Sequence, residues 1–180
     1  FKHPPAEVFE VLTDTNSFHQ KLSNYKDSRA LTRKLYKKII ESKPHNQEEV
    51  VKVIGKNKIS SFHNRQKEKN WTDYIFLDFN FPWPLKDRWV VNRVRVDESN
   101  SKKGEYKFEY KIEVGNFNTL FGYWKLMPVK GHPGWTEFRG RYESDPGVPV
   151  PKFVMKKAMV SGMKKDINTY RKILEQREKK

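Results

Sequence analysis

Apolar residues recur three or four positions apart along the last part of the chain, from Val150 to Lys180. This spacing puts them on one side of an α-helix, and no proline after Pro151 interrupts it. The pattern predicts one long C-terminal helix that lies with its apolar side on another part of the protein. That side contains Met155, Met159, Met163, Ile167, Tyr170 and Leu174.

The middle of the chain has a period of two. From Tyr106 to Val114, five apolar residues alternate with four charged ones, as a half-buried antiparallel strand requires. A short apolar strand is also predicted within 50–59, with Gly55 as a bend or bulge. Four further strands are predicted over Trp71–Phe81, Arg88–Val96, Leu120–Met127 and Trp135–Glu143.

Two short helices are predicted near the start of the chain. The first covers Pro4–Asp14, where prolines open the helix and Glu7 lies in its first turn. The second covers Ser17–Leu22. The following stretch, 27–41, fits either a helix, because Leu31, Leu35 and Ile39 are spaced by four, or an exposed basic strand.

These elements predict an α+β fold in one domain that spans residues 1–180. Its parts are two short N-terminal helices, an antiparallel sheet of five to seven strands and the long C-terminal helix. Because strands twist, a sheet with one apolar face curls, and the long helix can cover its concave side. Such an arrangement encloses a volume.

Composition excludes several classes of site. The 180 residues contain no cysteine, which excludes disulfides and thiolate metal sites. The five histidines lack the spacing of metal ligands, so neither a metal nor a cofactor is expected. The chain begins with Phe1, and we expect an upstream segment to have been removed, together with a targeting signal and a first strand. The compartment stays open: cytoplasmic, or periplasmic or exported if a signal peptide was removed.

The net charge of +15 favours association with polyanions. The lysines are scattered through nearly every segment, which is typical of a solvated surface rather than a nucleic-acid interface. We therefore expect no specific nucleic acid partner and a monomeric protein. Peripheral contact with an anionic membrane is compatible with this charge.

Four stretches, in this order, resemble the START-like superfamily, which includes polyketide cyclases, coenzyme Q-binding proteins and the birch-pollen allergen. Together they span most of the chain. The resemblance is weakest over 29–60, which leaves the number of strands open. The matching stretches are Ala6–Asp14, Phe81–Arg88 with its proline pair before Asp87-Arg88, Gly122–Pro128, and Tyr142–Gly147 continuing to Val150–Phe153.

This resemblance implies a helix-grip fold, in which a curved antiparallel sheet surrounds a long helix and leaves a hydrophobic tunnel. Members of the superfamily commonly hold a sterol, phospholipid, isoprenoid or polyketide in that tunnel. Most of them bind or carry their ligand, and a minority are enzymes.

Strand alternation places a set of aromatic residues on one surface, opposite the methionines of the helix. Methionine is flexible and polarisable, which suits a wall that adapts to its ligand. The alternative is that the same side chains pack on one another as an ordinary core. The proposed lining is Phe79, Phe81, Tyr106, Phe108, Tyr110, Trp124, Phe138 and Tyr142, with Met155, Met159 and Met163.

Two polar residues occur where apolar ones are expected. Asn92 lies between Val90 and Val94 on one side of its strand, and Asp166 lies within the apolar arc of the helix. Either residue can orient a ligand head group, because a buried polar group requires a partner. The alternatives are an edge position for Asn92 and a salt bridge from Asp166 to an arginine of the sheet.

The sequence thus predicts a protein that binds, and carries, a lipid, sterol or isoprenoid. No residue is nominated as catalytic, and an enzyme is less favoured. The alternative is a cyclase- or hydrolase-like enzyme on an aromatic or polyketide substrate, which requires titratable groups inside the cavity. A third interpretation is binding of nucleic acid or an anionic surface through the basic exterior.

Overall fold

The computed structural model describes residues 1–56, 59–61, 69–81 and 88–177. Single turns of 3-10 helix at Thr15–Ser17 and Ser101–Lys103 accompany its main elements. In chain order these are α1 (Pro5–Thr13), α2 (Phe18–Lys21), β1 (Tyr25–Leu31), α3 (Arg33–Ser42), α4 (Gln47–Ile54), β2 (Asn70–Phe79), β3 (Arg88–Asp97), β4 (Tyr106–Gly115), β5 (Thr119–Pro128), β6 (Thr136–Asp145) and α5 (Lys152–Arg177).

The strands form one antiparallel sheet in which the spatial order β1 to β6 is the chain order. Each strand pairs with the next along the chain, and the predicted α+β fold with its long C-terminal helix is confirmed. The register shifts between Tyr25 and Asp27 in β1, and between Val91 and Asn92 in β3. Such irregularities increase the local twist, which lets a sheet curve around a helix.

Both faces of the sheet carry helices. The inner face packs against α1 and α5, and the outer face of β1–β3 packs against α3 and α4. The predicted alternation is confirmed on β2, where Ile75, Leu77 and Phe79 belong to the inner core and Phe76 to the outer one. The inner core also contains Val8, Phe9 and Leu12 of α1, Val90, Val94 and Val96 of β3, and Tyr170 and Leu174 of α5.

The strand predicted within 50–59 is wrong, because Gln47–Ile54 forms the helix α4. The valine-rich stretch favours a strand by propensity, but its ends carry helix signals. The Asn46 side chain accepts a hydrogen bond from the Glu49 amide, 3.0 Å away, as an N-cap does. Gly55 ends the helix at a φ of 63°, a conformation that glycine adopts without strain.

The stretch 27–41, for which the sequence allowed a helix or a strand, contains one of each. Its first part continues β1, and α3 begins directly after it at Arg33. Thr32 separates the two, since its side chain accepts a hydrogen bond from the Leu35 amide at 3.1 Å. Leu31 and Ile39 are both fully buried in the outer core, so the two elements fold onto each other.

The long helix α5 is packed unevenly. Its C-terminal half buries Tyr170 and Leu174 against the inner core. In its N-terminal half, Phe153 is 75% exposed and Val160 is 41% exposed. No helix among the described segments is both long and apolar enough to cross a membrane. The C-terminal half of the helix is thus packed against α1 and the inner core, whereas the N-terminal half is largely exposed.

Candidate ligand-binding site under the C-terminal helix

Seven of the eight predicted aromatic residues lie on the inner face or directly beside it. Phe79, Tyr106 and Phe108 are buried, whereas the other four are only partly buried although they pack against the inner core. A face covered by a closely packed helix would bury all of them. The partly buried residues are Phe81, Tyr110, Trp124 and Phe138.

The rings form two groups of contacts. On β4–β6, Phe108 stacks on Trp124 with centroids 4.2 Å apart, and Trp124 contacts Phe138 at 5.7 Å. At the end of β2, Phe79 lies 5.0 Å from Phe81 and 5.3 Å from Tyr25. Each group presents a broad apolar surface that favours offset or edge contacts with a hydrophobic partner.

Tyr110 lies beside the first group, and Gly122 makes room for its side chain. Gly122 is paired with Tyr110 on one side and Tyr142 on the other. A Cβ atom at Gly122 would lie 2.6 Å from the Tyr110 hydroxyl oxygen and 2.5 Å from the Arg141 carbonyl oxygen. Only glycine therefore permits this close approach of the tyrosine to β5.

The methionines of α5 are less enclosed than the aromatic residues. Met155 and Met159 are partly buried, whereas Met163 is 37% exposed. The three residues lie in the half of α5 that packs loosely. Their role as ligand contacts stays a prediction.

Four tyrosine side chains add polar groups to this region. Burial raises the pKa of Tyr25, Tyr110, Tyr142 and Tyr170 above the ordinary value for a phenol. A neutral phenol hydroxyl can donate a hydrogen bond to a ligand.

The sequence analysis did not identify two of these tyrosines, Tyr25 and Tyr170, as polar groups of the site. Tyr25 lies at the bulge of β1, in a stretch without a clear period. The helical spacing identifies Tyr170 only as part of the apolar side of the C-terminal helix. Burial raises the pKa of Tyr170, and the nearby Tyr25 and Asp166 raise it further. Since Tyr25 and Tyr170 are remote in sequence, no local pattern reveals that they are close.

Asp166 lies at the junction of α5 with the start of the sheet. Its Oδ1 accepts a hydrogen bond from the Asn24 Nδ2 at 2.9 Å, rather than from an arginine of the sheet. Burial raises the pKa of Asp166 to about 6, although the Asn24 hydrogen bond and the positive charge of Lys165 oppose the shift. The carboxyl group thus changes charge close to neutral pH.

Asn92 is 4% exposed in the middle of the inner face. Val90 and Val94 lie on the same side of β3, and Ile75 and Ile112 are its partners on the neighbouring strands. Its Oδ1 has no hydrogen-bond partner within the described part of the chain. A buried acceptor without a partner costs about 1–3 kcal/mol, so this oxygen favours a ligand that brings a donor.

The sequence also predicted that the protein has no metal site and that Asp87-Arg88 has an architectural role. Over residues 1–56, 59–61, 69–81 and 88–177, no three His, Cys, Asp or Glu side chains are grouped so that they could hold a metal ion. Asp87 and His63 lie outside the described residues, and the architectural role predicted for Arg88 stays a prediction.

A separate cleft of about 710 Å³ lies where β2 extends beyond the end of β1, and none of its lining residues belongs to α5. Charged side chains dominate its lining, so it suits an apolar ligand poorly. We therefore place the candidate site under α5, where the partly buried aromatic rings are. The residues of the separate cleft include Arg33, Arg95, Asp97, Lys107 and Glu109.

The sheet gripped by a long helix is the fold of the START-like proteins. A START superfamily protein from Mycobacterium smegmatis is similar over 98% of this chain and 92% of its own, with a TM-score of 0.64 and 12% identity. A protein from Thermus thermophilus matches over 98% of this chain and 90% of its own, with a TM-score of 0.51 and 12% identity. At such identities the likeness shows the fold alone.

The sequence places the protein more narrowly. Residues 1–161 match the model of the family described as polyketide cyclase / dehydrase and lipid transport, and the chain belongs to that family. The resemblance noted from the sequence is thereby confirmed. No functionally curated protein matches this chain.

Proposed function

We propose that the protein binds a lipid, sterol or isoprenoid between the inner face of the sheet and the N-terminal half of α5, and carries it. The single observation that supports this most is the incomplete burial of Tyr110, Trp124 and Phe138, which lie on the inner face. Membership of a family that includes lipid transport supports the same class of ligand.

The apolar surface provides the main free energy of binding. Each methylene group that leaves water contributes about 0.8 kcal/mol, so a chain of about twelve carbons gains about 10 kcal/mol before the costs of association. The stacked Phe108 and Trp124 supply a rigid part of that surface, and Met155 and Met159 supply an adaptable part.

Polar groups at two places orient the ligand. Asn92 offers an acceptor at the centre of the inner face, so it favours a hydroxyl or amine donor on the ligand. Asp166, with the Tyr25 and Tyr170 hydroxyls near it, offers a second polar end beside α5. A ligand with a long apolar body and a small polar group fits this arrangement better than a pure hydrocarbon.

Loading and release require an opening, and α5 provides it. Tyr170 and Leu174 anchor the C-terminal half of the helix, while the N-terminal half buries few side chains. Movement of that half therefore costs less than separation of the whole helix from the core.

Native mass spectrometry and solvent extraction of the purified protein test the proposal. We expect a hydrophobic molecule to co-purify at about one per chain, and a fluorescent fatty acid or sterol to displace it. Phe138→Ala should weaken binding of the probe by about tenfold or more, because its ring belongs to the inner aromatic group.

Phe121→Ala is the matched control, since Phe121 lies on β5 with 43% of its surface exposed and is not part of the inner core. It should leave probe binding unchanged. Absence of any co-purifying hydrophobe together with absence of probe binding would refute the proposal. Equal losses in the two variants would do so as well.

A second candidate function is catalysis of a cyclisation or dehydration on a polyketide. The observation that favours it is Asp166, whose pKa of about 6 suits proton transfer near neutral pH and which lies close to tyrosine hydroxyls. The family also includes cyclases and dehydrases.

Asp166→Asn separates the two functions. The substitution preserves shape but cannot exchange a proton, so an enzyme should lose turnover of a β-polyketone substrate while its binding persists. Turnover that persists in this variant counts against Asp166 as the group that transfers the proton. Absence of turnover in the unmodified protein counts against catalysis and leaves ligand binding intact.

A further inference from the structure

On the outward side of the N-terminal half of α5, apolar residues occupy two positions that face solvent. Phe153 is 75% exposed and Val160 is 41% exposed. Lys157 and Lys164 lie on the same side, because positions 153, 157, 160 and 164 follow helical spacing. The inward side of this segment, with Met155 and Met159, is distinct from it.

The charge of this segment has one sign. Between Asp145 and Asp166 the chain contains five lysines and no acidic residue. The lysines are Lys152, Lys156, Lys157, Lys164 and Lys165. On the outer face of β4, by contrast, Lys107 forms an ion pair with Glu109. The outward side of α5 therefore combines exposed apolar groups with an unbalanced positive charge.

We propose that this side of α5, defined by Phe153, Lys157, Val160 and Lys164, docks on the surface of an anionic lipid bilayer. The proposal goes beyond ligand binding and does not depend on it. An anionic bilayer offers acyl chains for the phenylalanine and valine, and negative head groups for the lysines. A second copy of the chain would bring two segments of equal positive charge together, which opposes dimerisation through this side.

The geometry of the helix suits shallow insertion. Phe153 lies one residue after the start of α5, so its ring can enter the interface without moving the packed C-terminal half. Long lysine side chains can lay their methylene groups along the same surface and keep the ammonium groups at the head groups. Docking in this orientation places the bilayer beside the loosely packed end of the candidate ligand site.

Vesicle sedimentation tests the proposal with the full chain. We expect binding to phosphatidylcholine vesicles that contain about 30 mol% phosphatidylserine, little binding to pure phosphatidylcholine, and weaker binding as NaCl rises from about 50 to about 500 mM. Lys157→Gln with Lys164→Gln should lower the partition coefficient by roughly 30-fold. Phe153→Ser should lower it by about tenfold.

Matched control substitutions are available on the outer face of the sheet. Phe121 is 43% exposed, and Lys111 and Lys125 lie on β4 and β5 near it. Phe121→Ser, and Lys111→Gln with Lys125→Gln, remove the same kinds of side chain and should change vesicle binding less than about twofold. Since all the substituted residues are at the surface, circular dichroism should show a folded protein in every case.

The absence of cysteine allows a direct test of which surface inserts. Phe153→Cys and Val160→Cys, labelled with a polarity-sensitive dye, should shift their emission to shorter wavelength on anionic vesicles. The same label at Gln176→Cys, on the exposed end of α5, should not shift.

The proposal is overturned if pure phosphatidylcholine binds equally well, if the outer-face controls lose as much binding, or if vesicles bind without a shift at position 153. Binding of single-stranded nucleic acid in preference to anionic vesicles would also overturn it. Loss of vesicle binding with intact probe binding refutes the docking and leaves the proposed ligand function standing.

Discussion

Replacing Asn92 by leucine separates a ligand contact from an ordinary core position. The amide oxygen is buried among valine and isoleucine side chains and has no partner within the described residues. Asn92→Leu keeps a similar shape and removes the unpaired acceptor. We therefore expect the ligand-free protein to gain stability, which is unusual for a substitution in a core.

The magnitude follows from the cost of the unpaired group. A buried acceptor without a partner costs about 1–3 kcal/mol, which Asn92→Leu would recover. Imperfect fit of the branched leucine side chain offsets about 1 kcal/mol of that gain. The expected net gain in the free energy of unfolding is about 0–2 kcal/mol. Affinity should fall about tenfold for a probe with a hydroxyl group and should not change for a hydrocarbon probe of equal length.

Urea unfolding followed by tryptophan fluorescence measures the stability, and titration with the two probes measures the affinity. Asn116→Leu is the control, because the Asn116 side chain accepts a hydrogen bond from the Trp89 amide at 2.8 Å. That variant should lose about 1–2 kcal/mol. If Asn92→Leu is destabilised as much as the control, the Asn92 amide has a structural partner and the argument fails.

Three further predictions concern other parts of the molecule. Because burial raises the pKa of Asp166 to about 6, the folded protein holds a proton that the unfolded chain releases, and stability should fall as pH rises from about 4 to about 6. We expect this fall to be about 1–2 kcal/mol after allowance for the partial exposure of Asp166, and Asp166→Asn should remove it. Urea titrations at about pH 4 and about pH 7.5 measure the fall. If the variant loses as much stability between these two pH values as the unmodified protein does, the prediction is wrong. Gly122→Ala should lower the free energy of unfolding by about 1–3 kcal/mol and weaken probe binding, because the new Cβ atom collides with Tyr110 and with a carbonyl oxygen. Gly140→Ala is the control: the nearest atom to its Cβ is 3.1 Å away, so this variant should lower the melting temperature less than Gly122→Ala does. Asn46→Ala should destabilise the protein by about 1 kcal/mol through loss of the α4 cap, and an unchanged urea midpoint would mean that the cap contributes nothing.

Much of the fold was predictable from local pattern. The alternation from Tyr106 to Val114 corresponds to β4, and the helical spacing after Pro151 corresponds to α5. These signals are strong because a regular element repeats its contacts with a single surface at a fixed period. The same alternation placed Phe108, Trp124 and Phe138 on one face, as the ring contacts confirm.

The prediction failed where two local signals conflicted. β-branched residues over Val50–Ile54 favour a strand, and the cap at Asn46 with Gly55 at the other end favours a helix. The outer face decided between them, because Val50 and Ile54 are four residues apart and both are fully buried there. A helix satisfies that spacing and keeps the hydrogen bond of the cap, whereas a strand would lose the cap.

By itself, then, the sequence determined the order of most strands and helices, the residues of the inner face and the family, because periodicity and short motifs are local properties of a chain. The tertiary structure alone decided which end of α5 is anchored, and that Tyr25, Asp166 and Tyr170 lie near one another. Those outcomes depend on packing between residues far apart in the sequence, where burial also raises the pKa of Asp166 and leaves Asn92 without a partner among the described residues.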